Sequence, residues 1–288
     1  MIATDRAERL GRDRPEARVW LRLWQEAVRE AADPAWRGVE ARSAEASAPR
    51  APRLAGCVVR VPVGPARRWL LRLFDAARGA SGRSGRPVDG LDPLAFLAAA
   101  VRRDGPALVH AAGASGLEPP ALRAVAELAV LPLLQACAGR LADGVPRGWR
   151  EGHCPICGAW PTLAEARGVE RTRRLRCGRC GGDWEGEWLR CAFCGNADHQ
   201  RLGGLVPAQE GERRRVETCE GCGGYLKTIA RLTPAAASEV LLEDLATVDL
   251  DLAALAEGYR RPEGLGHPLR LTLVELPGLA RRLLGRAG

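Results

Sequence analysis

The chain has 288 residues, a length that fits one or two domains, and 46% of them are apolar, enough to bury a core. Aromatic residues make up only 5%, so alanine and leucine must do much of the packing, which suits closely approaching helices. A net charge of +8 permits contact with nucleic acid, anionic lipid or an acidic partner but selects none of them, and most of it reads as solvated surface.

The opening stretch, MIATDRAERLGRDRPEARVW, is charged throughout and lacks the apolar run and cleavage site of a secretory leader, so the expected location is cytoplasmic. The following stretch, PEARVWLRLWQEAVREAAD, predicts a helix with Val19, Trp20, Leu23, Trp24, Ala27, Val28 and Ala31 on its apolar stripe. GPARRWLLRLFDAAR predicts another, with Pro65 in its first turn and Trp69, Leu70, Leu73 and Phe74 on one face. In LDPLAFLAAAVRRDG, Asp92 is the candidate N-cap, Pro93 follows it and Gly105 is the stop. Residues 121–142 are the most apolar stretch, but Arg123, Glu127, Gln135 and Arg140 interrupt it; it predicts a buried helix, kinked or restarted at Pro132, and no membrane span. Residues 42–53 and 78–87 read as polar, mobile connections, and His110 as a structural histidine.

All the conspicuous chemistry lies further on. HCPICGAWP, CGRCGGDW, CAFCGNAD and CEGCGGYL each carry a Cys-x-x-Cys-Gly unit. Two thiolates on one tight turn can face one metal ion, and the residue after the second cysteine favours a positive φ that glycine adopts at little cost. Glycine stands there in all four: Gly158, Gly181, Gly195 and Gly223. The expected ligands are Cys154, Cys157, Cys177, Cys180, Cys191, Cys194, Cys219 and Cys222, whereas Cys57 and Cys137 stand alone in apolar surroundings as packing residues. A reducing compartment argues against disulfides.

Sequential pairing would join the first two turns across 19 residues and the last two across 24, with a strand–turn–strand in each gap; interleaved pairing is the alternative. Four thiolates suit zinc or a single iron of the rubredoxin kind, giving two four-cysteine sites per chain with no open coordination position. Arg173, Arg174, Arg176, Arg179, Arg190 and Arg201 read as local compensation for the charge of those sites, with phosphate binding as the competing role. His153 and His199 flank the turns as supporting residues, and Trp184 and Trp188 are expected to pack between the modules.

Residues 238–259 predict a last helix with Leu241, Leu242, Leu245, Val248, Leu252 and Leu255 buried. Its polar side, with Glu243, Asp244, Asp249 and Asp251, would be either a partner-docking face or a solvated acidic one. The closing LTLVELPGLARRLLGRAG reads as a terminal helix or a loose tail. The expected fold class is α+β: a mainly helical domain over 1–147, rubredoxin-like or zinc-ribbon metal modules over 148–188 and 189–232, and a C-terminal helical segment and tail over 233–288.

CPICGAWP, the run WLRCAFCGN and ETCEGCGGYLKTI, followed by LEDLATVDLDLAALAEGYRRPEG, resemble the FdhE family of formate dehydrogenase accessory proteins. The similarity spans residues 152–264 and includes Asp244, Leu245, Ala246, Gly258, Tyr259, Arg260 and Arg261; the N-terminal half and the tail after Gly264 are unmatched. The resemblance implies a cytoplasmic, non-enzymatic assembly factor for respiratory formate dehydrogenase, a molybdenum- or tungsten-dependent enzyme. Its partner would be the catalytic subunit, its metal ligands the eight paired cysteines and its metal iron or zinc, and a homodimer is compatible with it. A zinc-ribbon nucleic-acid-binding protein and a rubredoxin-like electron carrier are the alternatives.

Overall fold

The computed structural model describes residues 2–43, 48–80, 90–112, 115–207 and 213–277. The chain opens on α1 (Ile2–Asp13) and α2 (Arg18–Ala31), followed by strands β1 (Glu40–Ser43) and β2 (Cys57–Val61). Helices α3 (Val63–Ala80), α4 (Pro93–Arg102), α5 (Gly105–Ala112), α6 (Pro119–Ala129) and α7 (Leu131–Leu141) come next. Then follow β3 (Leu163–Arg167), β4 (Thr172–Arg176), β5 (Asp183–Glu185), β6 (Leu202–Leu205), β7 (Arg214–Cys219) and β8 (Gly224–Arg231). Helices α8 (Val240–Ala246) and α9 (Val248–Ala256) and strand β9 (Thr272–Glu275) complete it. The fold is α+β, as the sequence predicts. It forms two compact units, one of Arg14–Ala46, Gly56–Leu141 and Leu269–Gly288, the other of Met1–Asp13, Ser47–Ala55 and Ala142–Pro268.

The first unit is helical, with Trp24, Trp69, Phe74 and Phe96 buried in its core. Trp69 donates its indole N–H to the Ala129 carbonyl at 3.0 Å, and Phe74 meets Phe96 edge-on with ring centroids 5.2 Å apart. The α2 stripe is rotated from the predicted one: Val19 is exposed, while Leu21 and Glu30 are buried. Glu30 stays inside because the Trp36 indole donates to it at 2.8 Å and the Arg72 guanidinium reaches its other oxygen. Asp92 caps α4 by accepting from the backbone of Leu94 and Ala95, at 2.9 and 3.1 Å. The stop is Arg103 in the left-handed region, and Gly105 begins α5 instead. The apolar run breaks between α6 and α7 beside Pro132, and 61% of its most apolar window is buried, although its length and composition alone would let it cross a membrane. His110 is exposed on α5, contrary to the structural role expected of it.

This unit also holds a small sheet, ordered β1-β2-β9, whose strands the mainly helical expectation does not name. Cys57, Val59 and Val61 point inward at every second residue, a strand signal too short to stand out beside the helices. Thr272–Glu275 pairs with β2 in parallel, so the described start of the closing segment is a strand and neither helix nor tail; residues 278–288 lie outside the described residues. Parts of the two connections expected to be mobile, residues 44–47 and 81–87, likewise lie outside them.

The second unit is built on one six-stranded sheet, β5-β4-β3-β8-β7-β6. Two three-stranded antiparallel modules meet at its centre, where β3 and β8 run parallel from Ala164↔Thr228 to Arg167↔Arg231. Both central strands are almost wholly buried, and the close pairing uses small residues, Ala164, Ala166 and Thr228. Glu165, fully buried on β3, is held by Arg176 at 2.7 Å, by Arg167 at 2.5 Å and by the Ala235 backbone N–H at 3.1 Å. Arg53, at the end of a connection expected to be mobile, and Leu54 dock on the first cysteine turn: their N–H groups donate to the carbonyls of Pro155 and Ile156 at 2.7 and 3.0 Å.

The single helix expected over 238–259 is two helices, broken at Thr247, whose hydroxyl donates to the Glu243 carbonyl at 2.8 Å. The break re-aims the apolar side. Val240, Leu242, Leu250 and Ala254 are buried, while Leu252 and Leu255 are exposed.

Breaking the Glu165 set should be costly. Glu165→Ala leaves the buried Arg176 with no carboxylate nearer than Asp183 at 3.9 Å, and thermal unfolding of the variant should show a loss of about 3–5 kcal/mol. Val39→Ala in the helical unit, a plain truncation of a buried side chain, gives the reference for the same melt.

Candidate metal centres

Each cysteine turn is built the same way. The N–H of the glycine after the second cysteine donates back to the carbonyl of the first: Gly158 to Cys154 at 3.0 Å, Gly181 to Cys177 at 3.1 Å, Gly195 to Cys191 at 3.0 Å and Gly223 to Cys219 at 2.9 Å. Closing that turn puts the four glycines at φ of 69°, 78°, 74° and 66°, in the left-handed region that the sequence pattern anticipates. The Ile156 and Phe193 N–H groups point at the Cys154 and Cys191 sulfurs, at 3.5 and 3.4 Å, and so favour thiolate there.

The structure gathers the cysteines sequentially: Cys154, Cys157, Cys177 and Cys180 in one group, Cys191, Cys194, Cys219 and Cys222 in the other, with the sulfurs of each group within 4.8 Å of one another. None is in a disulfide. A tetrahedral ion bound at about 2.3 Å to four sulfurs would set them about 3.8 Å apart. In the second group Cys191–Cys222 and Cys194–Cys219 are 3.8 and 3.7 Å apart, and in the first Cys154–Cys180 and Cys157–Cys177 are 3.4 and 3.5 Å. Both clusters could therefore hold a metal ion. Glycine keeps the first sulfurs close: a Cβ on Gly182 would come 2.8 Å from the Cys154 sulfur.

Without a cation, such a group cannot ionise together. Hydrogen bonds from Cys154, Cys157 and Cys180 hold Cys177 well below the usual thiol range. Burial pushes Cys154 up, and the contact with Cys154 pushes Cys180 up as well. In the second group burial raises Cys191 and Cys222, while at Cys219 it is outweighed by hydrogen bonds from the Cys222 backbone and the Cys194 thiol. Ion binding must displace the remaining protons, so occupancy falls as the pH is lowered.

The two centres differ in exposure. All four sulfur-bearing residues of the first are buried, whereas Cys194 and Cys222 of the second are exposed. Each is braced against the other module: the Trp160 ring meets Phe193 edge-on at 5.5 Å, and Gly152 lies so close to Ala192 that a Cβ would overlap the Ala192 carbonyl oxygen at 1.6 Å. The flanking histidines stay outside both groups. His153 is buried, its Nε2 3.2 Å from the Arg50 carbonyl, and His199 is exposed in a short turn before β6. Burial, with His267 nearby, lowers the His153 pKa.

Of the six arginines expected to answer the metal charge, the three on β4 pair with carboxylates. Arg176 pairs with Glu165 at 2.7 Å, Arg174 with Asp183 at 2.7 Å and Arg173 with Glu217 at 2.6 Å. Trp184 is buried and donates to the Glu151 carbonyl, but Trp188 is half-exposed, stacked under Arg215 at 4.6 Å, and does not fill a core between the modules.

Residues 189–265, which contain the second centre, match the sequence model of a family described as "FdhE, C-terminal domain". The chain is 33% identical over 119 residues to an FdhE homolog of Aquifex aeolicus, covering 40% of this chain and 41% of that one. It is 35% identical over 111 residues to an FdhE homolog of Stutzerimonas stutzeri, covering 38% and 35%. The crystal structure of the FdhE protein from Pseudomonas aeruginosa shares the fold, with a TM-score of 0.53 over 92% of this chain and 94% of that one at 22% identity. The sequence matches are all to FdhE proteins, and the crystal structure shows that the fold is shared. The aligned stretches cover well under two thirds of the curated relatives' length.

The stretch matching the FdhE C-terminal domain also contains a charge cluster that the sequence pattern hides. Lys227, the chain's one lysine, is fully buried on β8, and its ammonium donates to Asp244 Oδ1 at 2.8 Å, Asp251 Oδ2 at 2.7 Å and the Asp244 carbonyl at 2.6 Å. Arg261 meets the same two aspartates at 2.5 and 2.8 Å, and the Tyr225 hydroxyl donates to Asp251 at 2.7 Å. Burial pushes Asp251 up, but Arg261 and Lys227 outweigh it and hold its carboxyl below the ordinary range; burial and Asp251 push Tyr225 up to about 12. Glu243 is taken by Arg231 at 2.9 Å and by Arg6 of α1 at 2.5 Å, and Asp249 lies 3.6 Å from Arg214. The acidic side of α8 and α9 is thus neither a free docking face nor a solvated one. It is the clamp that fastens the helices to the sheet.

Two outcomes follow for the metals. Cys154→Ser and Cys219→Ser should each lose one ion per chain by elemental analysis, while Cys57→Ser, changed in a buried strand of the helical unit, keeps full content. During chelator treatment the ion held by Cys191, Cys194, Cys219 and Cys222 should leave first, seen as release of one equivalent before the second; simultaneous release would show that exposure of Cys194 and Cys222 has no kinetic effect.

Proposed function

We propose that this chain is a non-enzymatic accessory factor in the production of formate dehydrogenase, acting by binding the catalytic subunit before it is complete. The observation that carries this is the coincidence, within residues 189–265, of the FdhE C-terminal match with the second four-cysteine group and the Lys227–Arg261 clamp. Cys154, Cys157, Cys177 and Cys180 would hold one iron or zinc ion, and Cys191, Cys194, Cys219 and Cys222 the other. A fully thiolate-bound ion supplies cross-linking and charge neutralisation, because it keeps no open position for substrate. The eight cysteines, the sheet and the clamp then form a rigid platform, and the chain's own residues make the partner contacts.

The basic surface gives less support to nucleic-acid binding than the net charge suggests, since Arg173, Arg174 and Arg176 are already paired. Electron transfer through a rubredoxin-like iron is favoured by one feature, the exposure of Cys194 and Cys222. Visible absorption of anaerobically purified protein separates it: an iron chromophore that cycles reversibly is required for a carrier, whereas a colourless protein with two zinc ions excludes one.

The accessory role is tested in the native cell. Deleting the gene should abolish formate dehydrogenase activity with the catalytic-subunit transcript still present, and tagged protein should co-purify with that subunit. Full activity in the deletion strain would refute it.

A further inference from the structure

The metal-bearing sheet has two unlike faces. Val216 and Tyr225 pack with Leu250 and Ala254 of α9, with Leu205 against them, so that face is covered. On the opposite face the alternate residues Leu202, Gly204, Glu217 and Leu226 floor a cavity of about 390 Å³. Its wall is the loop after β5, where Trp188 and Leu189 stand 37% and 69% exposed, and Val206 closes one end at 51%. β6 is the last strand of the sheet, and among the described residues no strand pairs with its outer side.

An edge strand with unused backbone donors and acceptors is a template for another strand, and proteins ordinarily protect such edges with bulk or charge. Here the edge carries Gly203 and Gly204, which expose the backbone and leave the cavity floor open. An apolar cavity beside it supplies what a bare edge lacks, a place for side chains on every second residue of an added strand. The rim is cationic: Arg173, Arg190 and Arg215 line the cavity and Arg201 immediately precedes β6, against one lining carboxylate, Glu217, which Arg173, Arg215 and Thr228 engage, and Glu187, 3.7 Å from Arg190.

We propose that β6 and this cavity bind an extended peptide segment of a partner protein, with alternating apolar side chains over Leu202, Gly204 and Trp188 and acidic residues meeting the arginine rim. The complementary charge argues for an acidic, apolar peptide over a second copy of this strongly basic chain. Given the accessory role proposed above, the segment belongs to the formate dehydrogenase catalytic subunit.

Two variants of the full-length, metal-loaded protein test it. Gly204→Lys fills the floor and places a charge at the edge; Leu189→Asp changes an exposed wall residue and leaves the strand untouched, so it reports even if the first variant fails to fold. Overlapping peptides covering the catalytic subunit, and the intact subunit, are the probes. The proposal expects the wild type to retain one or a few apolar–acidic peptides, with at least tenfold weaker binding by Leu189→Asp at unchanged metal content, and parallel loss of the intact subunit. Equal capture of the subunit by wild type and variants overturns the groove and leaves the accessory role standing. If the wild type captures no subunit, the accessory role fails, and a random extended-peptide library then decides the groove: selection of apolar–acidic sequences by wild type but not by Leu189→Asp supports it, and no selection overturns it. A wild-type dimer that Gly204→Lys dissociates, or an oligonucleotide that competes for the groove, assigns it to another occupant and overturns the peptide.

Discussion

Everything in the cysteine-bearing unit depends on holding eight sulfurs in two tight groups. Sulfurs about 3.4–3.8 Å apart are far beyond the bonding distance of a disulfide and close to the edge of a tetrahedral thiolate site. As ionised neighbours they would repel one another strongly in a buried setting, so a cation is what makes the geometry favourable. Each ion would tie two turns that are separated along the chain, and in doing so close one three-stranded module. The sheet follows from joining two such modules through the parallel β3–β8 pair.

Charge does the rest of the fastening. Glu165 with Arg176 and Arg167 secures the first module from within, while Lys227 and Arg261 with Asp244 and Asp251 secure α8 and α9 to the second. Buried pairs of this kind contribute little net stability over well-packed apolar residues, but removing one partner strands the other. They specify position. Thr247 breaks the helix at the point that lets Asp244 and Asp251, seven residues apart, both reach Lys227. With the acidic side consumed in this way, the surface left open on the same sheet is the groove bordered by β6 and Trp188.

The cysteine groups were legible in the sequence because the turn motif has a strict chemistry: two thiols, two spacers, then a glycine at positive φ. The hairpin between Cys157 and Cys177 was equally plain, and Gly168 stands in its turn at φ 72°. What escaped were interactions with no local period. The pairing of β3 with β8 joins strands about sixty residues apart, and nothing in LAEAR or GYLKTIAR names its partner. Lys227 looks like an ordinary surface lysine until Asp244 of α8 and Asp251 of α9 surround it. The apolar stripe over 238–259 fitted one continuous helix; a side chain-to-backbone hydrogen bond at Thr247 overrode it and exposed Leu252 and Leu255. The short strands β1, β2 and β9 were hidden among stronger helical signals.

Hydrogen exchange at the β3 and β8 amides tests the central dependence most directly, compared between metal-loaded protein and protein stripped of metal under reducing conditions. If the ions hold the modules, protection in both strands collapses on removal and returns when metal is restored, while α3 and α6 in the helical unit keep theirs. Unchanged protection of β3 and β8 in the stripped protein would contradict the account, since the sheet would then stand on its packing and ion pairs alone.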